Sequence, residues 1–179
     1  MKFSLKEVFL IFMLLMISSS AWATDWQTWQ PTGEKFHADL PAGFTVTNND
    51  FAGDGTNSSY TASAVVGDGY YVASYTILPQ PVENGDNEMI NQMFKSSSDN
   101  LLQGFPNAHL NSSKRITMNG HPVAEMIVDN ISLGNGATSI LHNIAVVTRD
   151  RLFQISYIGP AGTDASADAQ RFLKSLTVQ

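Results

Sequence analysis

The sequence of 179 residues contains no cysteine. That excludes a disulfide framework, an iron–sulfur cluster, cysteine-ligated zinc and a thiol nucleophile. It also excludes lipid attachment at an N-terminal cysteine. Basic residues are scarce, with 10 Lys and Arg against 16 Asp and Glu and a formal net charge of −6. No basic stripe interleaves with aromatics, so binding to a nucleic-acid backbone is excluded. Charged residues make up only 15% of the chain and hydrophobic ones 43%, too apolar a balance for disorder. Internal repeats and low-complexity stretches are missing, and the length suits one ordinary domain. Also missing are a G-x-S-x-G elbow, an H-E-x-x-H pair and a glycine loop that leads into a helix to cradle phosphate. No cofactor is expected.

What is there begins with an address. Lys2 and Lys6 precede an apolar run from Val8 to Ile17, followed by three serines and Ala21-Trp22-Ala23. A basic start, a short apolar stretch and an A-x-A site make a secretory signal peptide, cleaved after Ala23. A membrane span needs about 20 apolar residues, and the serines end this run well short of that. The expected organisation is a signal over residues 1–23 and a single domain over residues 24–179. Loss of two lysines and one glutamate with the signal moves the net charge from −6 to −7. The expected location is outside the cytoplasm, in a bacterial periplasm. Packing alone must then hold the fold in an oxidising compartment.

Strand periodicity dominates the remainder. Phe36, Ala38 and Leu40 alternate with polar residues, Pro41-Ala42-Gly43 turns, and Phe44 and Val46 resume, which predicts a short hairpin. Tyr60–Val66 and Tyr70–Leu78 flank Gly67-Asp68-Gly69 and predict a second hairpin. The period then changes. Met89, Ile90, Met93, Phe94, Leu101 and Leu102 mark one helical face, with Asp86 or Asn87 as N-cap and Gly104 as the stop. Strands follow at Arg115–Met118, Val123–Leu133, Ser139–Thr148 and Leu152–Ile158. Asn119-Gly120, Gly134-Asn135-Gly136 and Arg149-Asp150 turn between them. A closing helix runs from Ala165 to Leu176, capped by Asp164 or Thr163. Strands joined by tight turns, with helices after runs of strands, give an α+β fold: a largely antiparallel sheet of six or seven strands flanked by two main helices.

Three local patterns carry a family resemblance: Phe36-x-x-x-Leu40-Pro41-x-x-Phe44, Met118-Asn119-Gly120-His121-Pro122 and Phe172-Leu173-x-Ser175-Leu176. In this order of elements the chain resembles the PsbP-like superfamily over most of Phe36 to Val178. Its members include an extrinsic photosystem II subunit, a Ran-binding nuclear import factor and small secreted bacterial proteins. The resemblance implies an antiparallel sheet between helices, an α/β/α sandwich. It also implies a mainly non-enzymatic role, docking to a partner or stabilising an assembly. No residue set matches a partner surface of these members, so neither photosynthesis nor nuclear transport follows.

Few residues suggest chemistry. His121, Glu125 and Asp129 share one face of a predicted strand. Four residues along a strand span about 13 Å, so they cannot share one metal ion; a solvated face, or ion pairs to Lys114 or Arg115, is the better reading. His142 sits among apolar neighbours and reads as a hydrogen-bonded sheet residue, with a ligand pocket as the other option. The Asn48–Gly55 loop fails the calcium-loop pattern, with Ala52 at its fifth position and Ser59 at its twelfth. Trp26 and Trp29 either fold back over the domain edge or anchor a partner or glycan. Asn57, Asn111 and Asn130 begin N-x-Ser patterns that asparagine-rich composition explains. These features favour a secreted, non-enzymatic binding or accessory protein that takes an envelope protein or a small ligand. Two alternatives stand beside it: a hydrolase using His121 or His142 with a nearby carboxylate, and a structural subunit of an envelope assembly.

Overall fold

A computed structural model describes residues 24–50, 58–83, 86–105, 107–132 and 138–179. The expected signal segment, the Gly53 and Gly55 part of the first loop and the Gly134-Asn135-Gly136 turn lie outside the described residues, as does the side chain of Leu101. Ten strands and two helices occur among those described. In chain order they are β1 (Trp26–Trp29), β2 (Phe36–Pro41), β3 (Thr45–Asp50), β4 (Ser58–Val66), β5 (Gly69–Ile77), α1 (Asn87–Gly104), β6 (His109–Met118), β7 (His121–Ser132), β8 (Thr138–Val147), β9 (Arg151–Pro160), α2 (Ala167–Ser175) and β10 (Thr177–Val178).

Seven strands form one antiparallel sheet in the order β3-β4-β5-β9-β8-β7-β6. Two meanders build it. The chain runs β3-β4-β5, crosses through α1 to the far edge, and returns β6-β7-β8-β9 to pair with β5. The turns carry the expected chemistry. Asn119 and Gly120 have φ of 50° and 85°, the pair of positive values that a two-residue I′ hairpin demands. Asp86 caps α1 by accepting a hydrogen bond from the Met89 amide at 2.9 Å.

Residue parity sends alternate side chains to opposite faces. Ala124, Ala145 and Val147 meet Ile90 and Phe94 of α1. Val123, Val146, Phe153 and Ile155 meet Phe172 and Leu173 of α2 and the aromatic residues of β1 and β2. The two helices therefore cover opposite faces, as an α/β/α sandwich requires.

Four details differ from the sequence expectation. The Phe36–Val46 hairpin does not form: β2 joins β1 and β10 in a separate three-stranded sheet, while β3 pairs with β4. Alternation specifies a strand but not its neighbour. β1 and β10 span four and two residues, too short to show a period. β6 starts six residues before the expected Arg115 because it is a polar edge strand, exposed along most of its length. The closing helix starts at Ala167, and its cap is Ser166, which accepts from the Ala169 amide. Asp164 and Thr163 belong instead to a 3-10 turn, Thr163–Ala165.

Phe36 joins the two sheets. It is fully buried, stacked 4.8 Å from Phe153 of β9 and edge-on to Trp29 at 5.4 Å. Phe36→Ala removes the shared ring and leaves a cavity, at a cost of about 3–5 kcal/mol. A urea unfolding series should show that loss as a lower midpoint with an unchanged slope.

Candidate functional site

Polar groups gather at one end of the face covered by α2. The registers place Ile127, His142, Tyr157 and Tyr71 side by side across β7, β8, β9 and β5. Lateral neighbours in a row share a face, so three polar ring side chains lie in line beneath the start of α2. The 3-10 turn Thr163–Ala165 closes over them.

Glycine at two strand positions permits this crowding. A β-carbon at Gly69 would stand 3.0 Å from the Tyr71 ring and 3.1 Å from the Tyr157 ring. One at Gly159 would collide with the Tyr157 hydroxyl and with Thr163. Neither glycine is needed for a left-handed turn; each leaves space for a ring. Tyr71 and Tyr157 then pack with centroids 5.2 Å apart. The Thr163 hydroxyl donates to the Pro160 carbonyl at 2.7 Å. Its proton is thereby used, so Tyr157 donates to the Thr163 oxygen, also at 2.7 Å.

Between this pair, the β4–β5 turn and the start of α2 lies an open cleft of about 380 Å³. Asp68, Tyr71, Tyr157, Thr163, Ser166 and Asp168 line it. Tyr71 is 4% exposed, and its hydroxyl hydrogen-bonds no other group among the described residues. Burial, then Tyr157 and then Asp168 push its pKa from 10.0 up to about 12. The Thr24 hydroxyl donates to Asp168 at 3.0 Å.

His142 occupies the next place in the row and is 7% exposed. Its Nε2 lies 2.8 Å from Glu125 Oε1. The carboxylate accepts, so Nε2 carries the proton. Nδ1 is left buried without a hydrogen-bond partner, facing Asp164 Oδ2 at 3.9 Å. No serine or threonine hydroxyl hydrogen-bonds His142 among the described residues, so a nucleophile–histidine–acid relay is not assembled. Nor do any three histidine or carboxylate groups among those residues form a metal cluster.

Of the histidine–carboxylate pairings that the hydrolase alternative offered, the structure forms Glu125 with His142 and adds Asp164, which the sequence offered only as a helix cap. It does not pair Glu125 with Lys114, which stands opposite it in the ladder. Arg115 instead lies over the Phe94 ring at 4.6 Å. His121 begins β7 and borders two adjoining clefts with Thr148 and Arg149. Asp129 stands opposite His109 at the other end of the strand. Trp29 is buried in the core. Trp26 packs edge-on to Tyr71 at 5.8 Å, with the Arg171 guanidinium 4.8 Å over its ring. The tyrosine cleft was missed. Its sequence signal was glycine inside strand patterns beside tyrosine, in Gly69-Tyr70-Tyr71 and Tyr157-Ile158-Gly159.

No protein-family model matches the chain, and no curated relative does. Among solved structures, the cyanobacterial PsbP of Synechocystis sp. superposes with a TM-score of 0.54 at 12% identity, covering 89% of this chain and 96% of that one. A Pseudomonas aeruginosa protein of unknown function, described as a putative regulator, gives 0.48 at 9% identity, covering 86% and 97%. The Ran-binding protein Mog1p of Saccharomyces cerevisiae gives 0.44 at 14% identity, covering 87% and 96%. The superposition on PsbP gives this chain a PsbP-type fold, as the family resemblance implied. At these identities the likeness concerns the fold alone.

Tyr75 shares the elevated pKa of Tyr71: burial, then Glu34 and Tyr60 raise it to about 12, partly offset by Arg151. A tyrosine whose folded pKa lies above its unfolded value favours the fold until the pH passes that unfolded value. Stability should stay level below pH 10 and fall as the pH rises towards about 12. Ultraviolet titration of phenolate should show two of the five tyrosines ionising only as circular dichroism reports unfolding. Ionisation of all five near pH 10 in a folded protein would contradict this.

Proposed function

We propose that the chain is an exported, non-enzymatic binding protein, and that the tyrosine cleft beside α2 is its binding site. The observation that carries this reading is Tyr71: its residue is only 4% exposed, yet its hydroxyl opens into the cleft and is spent on no other group among the described residues. A hydroxyl open to the cleft and free of protein partners can bond a ligand group in place of solvent. The PsbP-type fold agrees with a docking or accessory role, as an analogy between folds. Export rests on the basic, apolar and A-x-A pattern before Thr24. A hydrolase built on His142 has its carboxylate in Glu125 and no hydroxyl nucleophile bonded to it among the described residues. A structural-subunit reading draws on Val65 and Tyr70, exposed and opposite one another across β4–β5.

Two measurements test the proposal. N-terminal sequencing of the exported protein should begin at Thr24; a product that keeps residues 1–23 and stays with the membrane would overturn export. A fragment screen followed by amide chemical shifts should concentrate its changes at Asp68, Tyr71, Tyr157 and Ser166. Shifts gathered on another surface, or hydrolysis of an ester panel that His142→Ala abolishes, would overturn the cleft as a binding site.

A further inference from the structure

We infer that the group bound in the tyrosine cleft is a primary ammonium, carried by a small aliphatic amine or by the protein's own mature N-terminus. This rests on the binding reading above and adds the chemical class of the ligand.

Charge is the first argument. Among the described residues, Asp68 and Asp168 are the only carboxylates lining the cleft, and no lysine, arginine or histidine lines it. Eight basic residues in the chain after Ala23 leave few to neutralise them, and the nearest on α2 is committed elsewhere. Arg171 lies over Trp26 and reaches Asp39 at 3.7 Å; it forms no ion pair with Asp168 among the described residues. Two carboxylates beside a cleft with no cationic lining raise the local concentration of cations.

The second argument is independent of the acids. Tyr71 is only 4% exposed, and its hydroxyl reaches the cleft and hydrogen-bonds no other group among the described residues. That oxygen can accept an N–H. The Thr163 hydroxyl donates to Pro160 and accepts from Tyr157, which leaves its oxygen one further lone pair. The cleft thus offers two carboxylates and several hydroxyl oxygens as acceptors, enough for the three donors of an –NH₃⁺ group, while the Tyr71 and Ser166 protons can turn to solvent.

The helix N-terminus does not reverse this preference. An exposed first turn attracts anions. In α2 that turn is already answered from within, by the Ser166 oxygen on the Ala169 amide and by Asp168 itself. A ligand anion would meet two carboxylates. Val66, Pro160 and Ala167 complete the lining and provide apolar surface for a short alkyl stem.

The ammonium has two possible sources. The Thr24 hydroxyl already donates to Asp168, so cleavage after Ala23 would release an α-ammonium at the edge of this cleft. A free amine would come from solution. The test titrates cadaverine, succinate and 1,4-butanediol into the protein beginning at Thr24 and into the same protein acetylated at its N-terminus, following the amides of Asp68, Ser166 and Asp168. Cadaverine alone should produce saturable shifts. Asp168→Asn should weaken its binding about tenfold, the loss of one charge-assisted hydrogen bond. Asp68→Asn, in an exposed turn, and Tyr71→Phe should each weaken it while the thermal midpoint stays within a few degrees. Equal binding to both protein forms assigns the site to a free amine. Binding only after acetylation assigns it to Thr24, with ammonium chemistry supported in either case.

Cadaverine binding that neither Asn variant weakens, or no cadaverine shift in either form, would overturn the inference. Succinate or butanediol shifting the same amides as strongly would overturn the ammonium and leave the cleft standing as a binding site. Shifts confined to another surface for every probe would overturn both.

Discussion

The fold depends on covering one face of a large sheet with material from the two ends of the chain. Helix α1, from the middle of the sequence, covers the other face. The face bearing Tyr71, Phe153, Ile155 and Tyr157 would be an exposed apolar surface without β1, β2, α2 and β10. These pieces come from opposite termini and are stitched to one another. β10 pairs with β2, the Asp39 amide donates to Ser175 Oγ at 2.8 Å, and the Gln179 amide donates to the Lys35 carbonyl at 2.9 Å. Asn119, in the β6–β7 turn, adds a bond to the Val178 carbonyl at 2.9 Å. With no disulfide to hold them, the ends stay in place through aromatic packing around Phe36 and through these backbone bonds.

That dependence also sorts what the sequence could show. The second hairpin, α1 with its Asp86 cap, the Asn119-Gly120 turn and the long strands β7 to β9 are local events. Each has a period or a turn residue that reports it directly. The small sheet is not local. Whether β2 pairs with β3 or with β1 and β10 is decided by sheet-on-sheet packing across more than a hundred residues of chain. No alternation in Phe36–Pro41 encodes it. β6 illustrates the opposite failure: its edge position removes the need for an apolar stripe, and the signal disappears with the need.

The candidate site was legible only in pieces for the same reason. Glu125 and His142 were each visible as polar residues in a strand, yet their meeting depends on register. Ile127 stands opposite His142, which places Glu125 one diagonal step away and within hydrogen-bond reach. Tyr71 and Tyr157 looked like ordinary core aromatics of alternating strands. Only the glycines at 69 and 159, unneeded for backbone conformation, hinted that something large must pass close to them.

The turn Thr163–Ala165 ties the two halves of this region together. Thr163 holds the Tyr157 hydroxyl and forms part of the cleft wall, while Asp164 faces the bare Nδ1 of His142. The Asp164 carbonyl is in turn bound by Gln170 of α2 at 2.9 Å. A displacement of the turn therefore acts on the cleft and on the histidine together, through adjacent residues of one short segment. It also acts on α2, which covers the sheet beside β2 and so bears on the joint between the chain ends. The polar row is thus built into the same layer that closes the core. A ligand that draws Asp68 and Asp168 together would gain from a cover already held at both ends. The Glu125–His142 bond anchors the far side of the row, so its simplest physical role is to hold the sheet rigid beneath a turn that borders the binding surface.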